Sequence, residues 1–129
     1  MWSIDNKMEF EIPTYTYRVK NVVRVVDGDT VDIDIDLGFY LTARKRIRML
    51  DIDTDELRGG TIETKARANM AKERLEVLLS TGDVYIKTKM DATGKYGRLL
   101  GTFYVVVNSL AVDINAKLVA EGFEKGTIV

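Results

Sequence analysis

The chain contains neither cysteine nor histidine. Without cysteine it can form no disulfide and no thiolate metal site. Without histidine it loses the usual general base, every Ser-His or Cys-His nucleophile pair and the usual zinc ligands. Any catalysis must run on Asp, Glu, Lys, Arg, Tyr or a bound ion. Any metal must be held by oxygen, which favours calcium, magnesium or manganese. An excess of charge of one sign is also missing: 19 Lys and Arg against 20 Asp and Glu leave a net charge of −1. A nucleic-acid partner would therefore need a local basic patch rather than a bulk field. No apolar run approaches the length of a membrane span. The opening "MWSIDNKMEF" lacks the apolar core of a signal peptide. The expectation is a protein that touches no membrane and stays in the cytoplasm where it is made.

What is present is an ordinary globular balance. The chain has 129 residues, 46% of them apolar, enough for one domain with a real core. Residues 1–14, up to the single proline Pro13, read as an irregular segment, and residues 15–129 as one domain, expected to be a monomer. Tyr15 to Val26 alternates and reads as a strand. Val31, Ile33, Ile35 and Leu37 then alternate with Asp32, Asp34 and Asp36 in a second strand. Between them lies "VVDGDT", where Asp27-Gly28 supplies a tight turn of the kind that needs positive φ. That turn explains Asp27 and Gly28 but not Asp29.

Leu41 to Asp51 reads as a third strand. After the loop "TDELRGGT", the period changes. Ala68, Ala71, Leu75 and Leu78 recur at spacings of three and four, which predicts an amphipathic helix from Ile62 to Leu79, ended by Gly82. Asp83–Lys89 and Leu99–Val107 are the fourth and fifth strands. Asn108-Ser109 turns the chain, and Asp113 caps a short helix running to about Glu121, followed by Gly122. Five strands and two helices in this order fit an oligonucleotide/oligosaccharide-binding (OB) barrel, an α+β, mainly β architecture. A split antiparallel sheet with two helices would read similarly.

Three acid clusters need weighing. Asp32, Asp34 and Asp36 begin like an EF-hand loop, but Gly38 falls one position late and Ala43 stands where the bidentate Glu belongs. Strand alternation already explains them as a solvated face. "DIDTDE", Asp51 to Glu56, fails the same test, since Glu56 replaces the required glycine, and a polar turn is the plain reading. The third is Asp27-Gly28-Asp29. Among the bases, Arg44, Arg46 and Arg48 share one parity of the third strand, and Lys95 and Arg98 lie just before the fifth. A solvated sheet face is the usual role of such charges, although Arg is also the residue that grips phosphate with a bidentate fork. Of the aromatics Tyr85, Tyr96, Phe103 and Tyr104, most belong to the core.

"VVDGDT" (Val25–Thr30), "IRMLDIDTDE" (Ile47–Glu56) and "GKYGRLLG" (Gly94–Gly101), in this order and at these separations, resemble the staphylococcal nuclease (thermonuclease) family. The resemblance extends from about Arg18 to Lys125. It implies an OB barrel with two to three covering helices and a calcium-dependent hydrolase, an endonuclease acting on DNA and RNA to leave 3′-phosphate and 5′-hydroxyl ends. Carried over by position, Asp29 and Asp53 would be the calcium carboxylates and Thr54 would add its backbone carbonyl. Asp27 would stand behind Asp29. Arg48 and Arg98 would clamp the scissile phosphate, Glu56 would be the base for the attacking water, and Lys95 and Tyr96 would contact a neighbouring phosphate. The alternative is the same barrel without activity, a module binding nucleic acid or protein.

The chain departs from the family pattern in one conspicuous place. The family's proline in "DTPE" is Asp55 here, which is expected to add negative charge beside the metal site and to loosen the backbone. The tyrosines that line the family's base pocket have no counterparts, so base stacking there is expected to be weaker.

Overall fold

The computed structural model describes residues 15–90 and 99–126. The expected irregular segment 1–14 and the positions Lys95, Tyr96 and Arg98 lie outside the described residues. In chain order the elements are β1 (Tyr15–Asp27), β2 (Thr30–Gly38), β3 (Leu41–Met49), α1 (Ile62–Leu79), β4 (Asp83–Met90), β5 (Leu99–Val107), β6 (Leu110–Asp113) and α2 (Ile114–Ala120). The sheet runs β3-β2-β1-β4-β5-β6, and a further parallel pairing of β3 with β5 closes five of the strands into a barrel. Closure removes the exposed strand edges that an open sheet would carry. The expected five-stranded OB barrel with two helices is therefore the observed fold. No helix among the described residues is long and apolar enough to cross a membrane.

Alternation along β2 and β3 places Val31, Ile33, Ile35, Ile47 and Met49 inside, where they meet Val84, Ile86, Phe103 and Val105 from β4 and β5. Along β1 the expected single parity does not hold. Register shifts at Val19/Asn21 and Val22/Arg24 insert bulges, so the inward positions become Tyr17, Val19, Val22 and Val25, and Val23 turns out to solvent. A bulge adds one residue to one strand and flips the faces beyond it.

Helix α1 starts at a capping box. Thr61 accepts from the Thr64 N–H, and the Thr64 hydroxyl accepts from the Thr61 N–H. Its apolar stripe of Ala68, Ala71, Leu75, Leu78 and Leu79 is buried. The helix stops at Leu79 with Ser80 as its cap, two residues before Gly82. Gly82 serves a different purpose from the expected one: a Cβ there would come within 2.4 Å of the Val106 carbonyl oxygen on β5. Helix α2 follows the expectation. Asp113 caps it by accepting from Ala116 N–H at 2.9 Å. At its end Gly122 N–H donates to Val119 and Phe123 N–H to Leu118, with Gly122 at φ +89°. This paired closure satisfies the last carbonyls and seats Phe123 against the core.

Strand β6 escaped the sequence pattern. It has four residues and three of them are exposed, so it carries no alternation to read. It forms a hairpin with β5 across Asn108-Ser109, both at positive φ.

Candidate functional site

The β1–β2 connection differs from its sequence reading in a way that matters. Asp27 pairs with Thr30, so the two turn residues are Gly28 and Asp29, not Asp27 and Gly28. Neither has positive φ. Instead the Asp27 side chain accepts from Asp29 N–H at 3.1 Å, the local bond by which an aspartate makes its own turn. Gly28 is required for space. A Cβ on it would lie 2.7 Å from Ala71 Cβ and 2.8 Å from Thr54 Oγ1. This close approach brings α1 and the segment after β3 against the turn that carries Asp29.

Asp29 is buried, and both of its carboxylate oxygens have partners. Its Oδ2 accepts from the Thr54 N–H at 3.0 Å and its Oδ1 from the Thr30 hydroxyl at 3.0 Å. Arg48 Nη2 lies 3.4 Å from Asp29 Oδ2 and equally 3.4 Å from Asp53 Oδ1. The other arm of Arg48 is anchored: Nη1 donates to the carbonyls of Met49 at 2.6 Å and Ile52 at 2.7 Å. Two distant stretches of chain thus converge on one guanidinium. Asp27, Asp29, Thr30, Arg48, Asp53 and Glu56 line one open cleft of about 780 Å³, together with Arg24, Arg46 and Arg58.

The two neighbouring aspartates titrate apart. Burial, then the hydrogen bond and charge of Asp29, push Asp27 up to about 6. Burial also opposes ionisation of Asp29, but hydrogen bonds from Asp27 and the Thr54 N–H, the Arg48 charge and the Thr30 hydroxyl outweigh it and hold Asp29 below the usual carboxylate range. Asp27 therefore supports Asp29 as the ionised member of the pair.

The arrangement fits a hard cation. With no histidine or cysteine in the chain, all side-chain donors are oxygen, and Asp29 and Asp53 already point at the same positive centre. Among the described residues no three acidic side chains form a metal cage. Two carboxylates would leave the other ligand positions to a backbone carbonyl, water and a substrate oxygen, as calcium and magnesium accept.

Asp55 corrects the sequence reading. It is buried, and Arg67 of α1 donates from Nε to its Oδ2 at 3.1 Å. Arg67 Nη2 also donates to the Glu124 carbonyl, and Lys125 N–H donates to the Asp53 carbonyl at 2.6 Å. The acid that replaces proline does not add free charge beside the cleft. It ties the Asp53–Glu56 segment to α1 and to the chain after α2. Nothing in the sequence marks Arg67 as the partner of Asp55.

The Asp32–Asp34 face is likewise not simply solvated. Arg44 donates from Nε and Nη2 to Asp34 at 2.9 and 3.2 Å, and Arg46 does the same to Asp32 at 2.7 and 3.1 Å. The hydrogen bond from the paired arginine is the main cause holding each of these aspartates below its ordinary value. A carboxylate with a lowered folded-state pKa contributes stability above its unfolded pKa, and loses it as pH falls through the folded value. Asp34→Asn is therefore expected to flatten the acid limb of stability against pH below about 3.9. Thermal melts from pH 5 downward check this; a limb as steep as the parent's would contradict it.

The fold and site thus define a closed β-barrel in which two carboxylates and an arginine meet at a strand end. The chain belongs to the staphylococcal nuclease homologue family, whose model matches residues 46–126. The match takes in Arg48, Asp53 and Glu56 and begins beyond Asp29, which the structure joins to them through Thr54. The chain is 31% identical to protein ParB of Escherichia coli, over 78% of its own length and 52% of that protein's. It is 29% identical to micrococcal nuclease of Shigella flexneri, over 86% of this chain and 59% of that one. An uncharacterized protein of Methanocaldococcus jannaschii is 27% identical over 96% of this chain and 66% of its own. The chain thus spans between about half and two-thirds of these relatives.

Proposed function

We propose that the protein is a calcium-dependent nuclease that hydrolyses phosphodiester bonds of DNA or RNA to 3′-phosphate and 5′-hydroxyl ends. The observation that carries this reading is the convergence of Asp29 and Asp53 on Arg48, in a cleft that also holds Glu56. Family membership and the similarity to a micrococcal nuclease support it.

Asp29, Asp53 and the Thr54 carbonyl would hold the ion. When bound, a divalent cation neutralises charge on the phosphate and orients water. The chain's own residues do the rest. Arg48, fixed by the Met49 and Ile52 carbonyls, presents its remaining N–H groups to a phosphate oxygen and stabilises the extra charge of the five-coordinate phosphorus. Arg98 is proposed as the second fork, and Lys95 and Tyr96 as contacts to the adjacent phosphate. Glu56 accepts a proton from the attacking water. The water oxygen joins phosphorus, the bond from phosphorus to the 5′ oxygen breaks, and that oxygen leaves as a hydroxyl by taking a proton from solvent water, while Glu56 returns its own proton to solvent.

The test is the chemistry of the ends. A labelled single-stranded oligonucleotide incubated with calcium should give fragments that accept label from polynucleotide kinase directly at their 5′ ends. They should resist 3′ extension until dephosphorylated. Fragments with 5′-phosphates, or none at all from folded protein, would contradict the proposal.

A further inference from the structure

The hairpin joining β2 and β3 ends in a turn that its own residues do not favour. Gly38, Phe39 and Tyr40 all have positive φ, at +78°, +54° and +62°. Asn and Gly suit such positions, whereas a bulky aromatic residue is strained there. Both rings are also fully exposed, Phe39 at 93% and Tyr40 at 106%, with Leu37 and Leu41 exposed beside them. These aromatics neither fill the core nor ease the turn, so folding supplies no reason for them. Strained, exposed residues at the tip of a paired hairpin point to a surface used for binding.

The rest of β3 indicates what binds. Its register with β2 sets Arg48 opposite Thr30, Arg46 opposite Asp32, and Arg44 opposite Asp34. These alternate positions share one face, and Arg46 and Arg48 line the cleft. Arg44 and Arg46 spend Nε and Nη2 on their aspartates. That leaves Nη1 on each, on side chains that are 68% and 60% exposed. Asp32 stands between Arg46 and Arg24 of β1, two cations to one acid. The aspartates hold the Arg44 and Arg46 guanidinium groups in place, one acid to each, and the extra positive charge on this face comes from Arg24 of β1. From Arg48 to Tyr40 the strand covers about 26 Å at ~3.3 Å per residue.

A row of forked cations leading from the cleft to two bare aromatic rings matches an anion of repeating charge with flat apolar faces. We propose that the β2–β3 hairpin is a subsite for single-stranded polynucleotide. The strand occupying the cleft continues along β3, with phosphates against Arg46 and Arg44 and a base stacked on Phe39 or Tyr40. A duplex keeps its bases stacked inside and cannot use the rings. The subsite rests on the nuclease reading for what lies in the cleft, but binding does not require hydrolysis.

The test is the double variant Phe39→Asn/Tyr40→Gly, which gives the turn residues suited to its backbone and so preserves the fold. Binding is read by anisotropy of a labelled single-stranded dodecamer, with calcium present, in a Glu56→Gln background that suppresses cleavage. Affinity for the dodecamer should fall at least about tenfold, while binding of thymidine 3′,5′-bisphosphate, which reaches only the cleft, stays unchanged. Dodecamer affinity equal to the parent's would overturn the proposal. So would loss of self-association or of vesicle binding with dodecamer affinity intact, since the tip would then serve another partner. If the unmodified chain cleaves nothing but the tip variant still loses the dodecamer, the subsite stands and the nuclease reading falls.

Discussion

Glu56→Gln is expected to slow phosphodiester hydrolysis by about 10²–10⁴-fold, the usual contribution of a positioned general base. The substitution keeps size and shape and removes only the ability to take a proton. Glu56 is exposed at the rim of the cleft, so the melting temperature should not move. In a chain without histidine, with Asp29 and Asp53 proposed as the ion's ligands and Asp27 bonded back to the Asp29 N–H, Glu56 is the remaining cleft carboxylate proposed to receive a proton from water. Rates on a labelled oligonucleotide at saturating calcium, with melting curves alongside, decide it. Turnover equal to the parent's would remove Glu56 from the mechanism.

The second large effect is on stability. Arg67→Ala is expected to destabilise the fold by about 3 kcal/mol, the lower end for breaking a buried pair by deleting one partner. The lower end applies because a third of the Arg67 side chain remains exposed, whereas the Asp55 side chain is 8% exposed. The loss arises because Asp55 stays buried without its cation. Replacing both together, Asp55→Leu with Arg67→Leu, should recover most of it, since a buried pair exchanged for apolar groups is often nearly neutral. Urea unfolding of the single and double variants measures this. A single variant as stable as the parent would show that the pair does not hold the Asp53–Glu56 segment. The same loosening should lower turnover, because Asp53, Thr54 and Glu56 all lie in that segment.

Much of the barrel was legible because β2 alternates cleanly, because the arginines of β3 share one parity, and because α1 repeats its apolar positions at helical spacing. Alternation cannot register a bulge, so it gives the wrong face at Val22 and Val23 and returns to the right one at Val25, and β6 is too short and too exposed to show any pattern. The β1–β2 turn was placed almost correctly but for the wrong reason. Asp-Gly suggested positive φ, whereas the structure uses Gly28 for the contact with Thr54 and Ala71, and the Asp27 side chain to make the turn. Asp29, the residue the turn could not explain, proved to sit inside it, aimed at Thr54 and Arg48.

The candidate site was legible only through its motifs. Nothing local in "VVDGDT" or "DIDTDE" says that Asp29 and Asp53 meet. That meeting is a product of the β2–β3 pairing and of the Asp29 bond to Thr54. The partner of Asp55 was not legible at all, because an ion pair between a loop and a helix leaves no periodic trace. Phe39 and Tyr40 give no sequence signal for a related reason. Aromatic residues at the end of an alternating run look like ordinary strand residues until their φ angles and exposure are known.

The most direct test of the central claim, that Asp29 and Asp53 hold one ion on which hydrolysis depends, is the cleavage rate against calcium concentration for the parent and for Asp29→Asn. The parent should show a saturable rise and no cleavage in chelator, and the variant a curve displaced to much higher calcium or flat at zero. Cleavage by the parent that persists in chelator, or a variant curve that overlays the parent's, would contradict it.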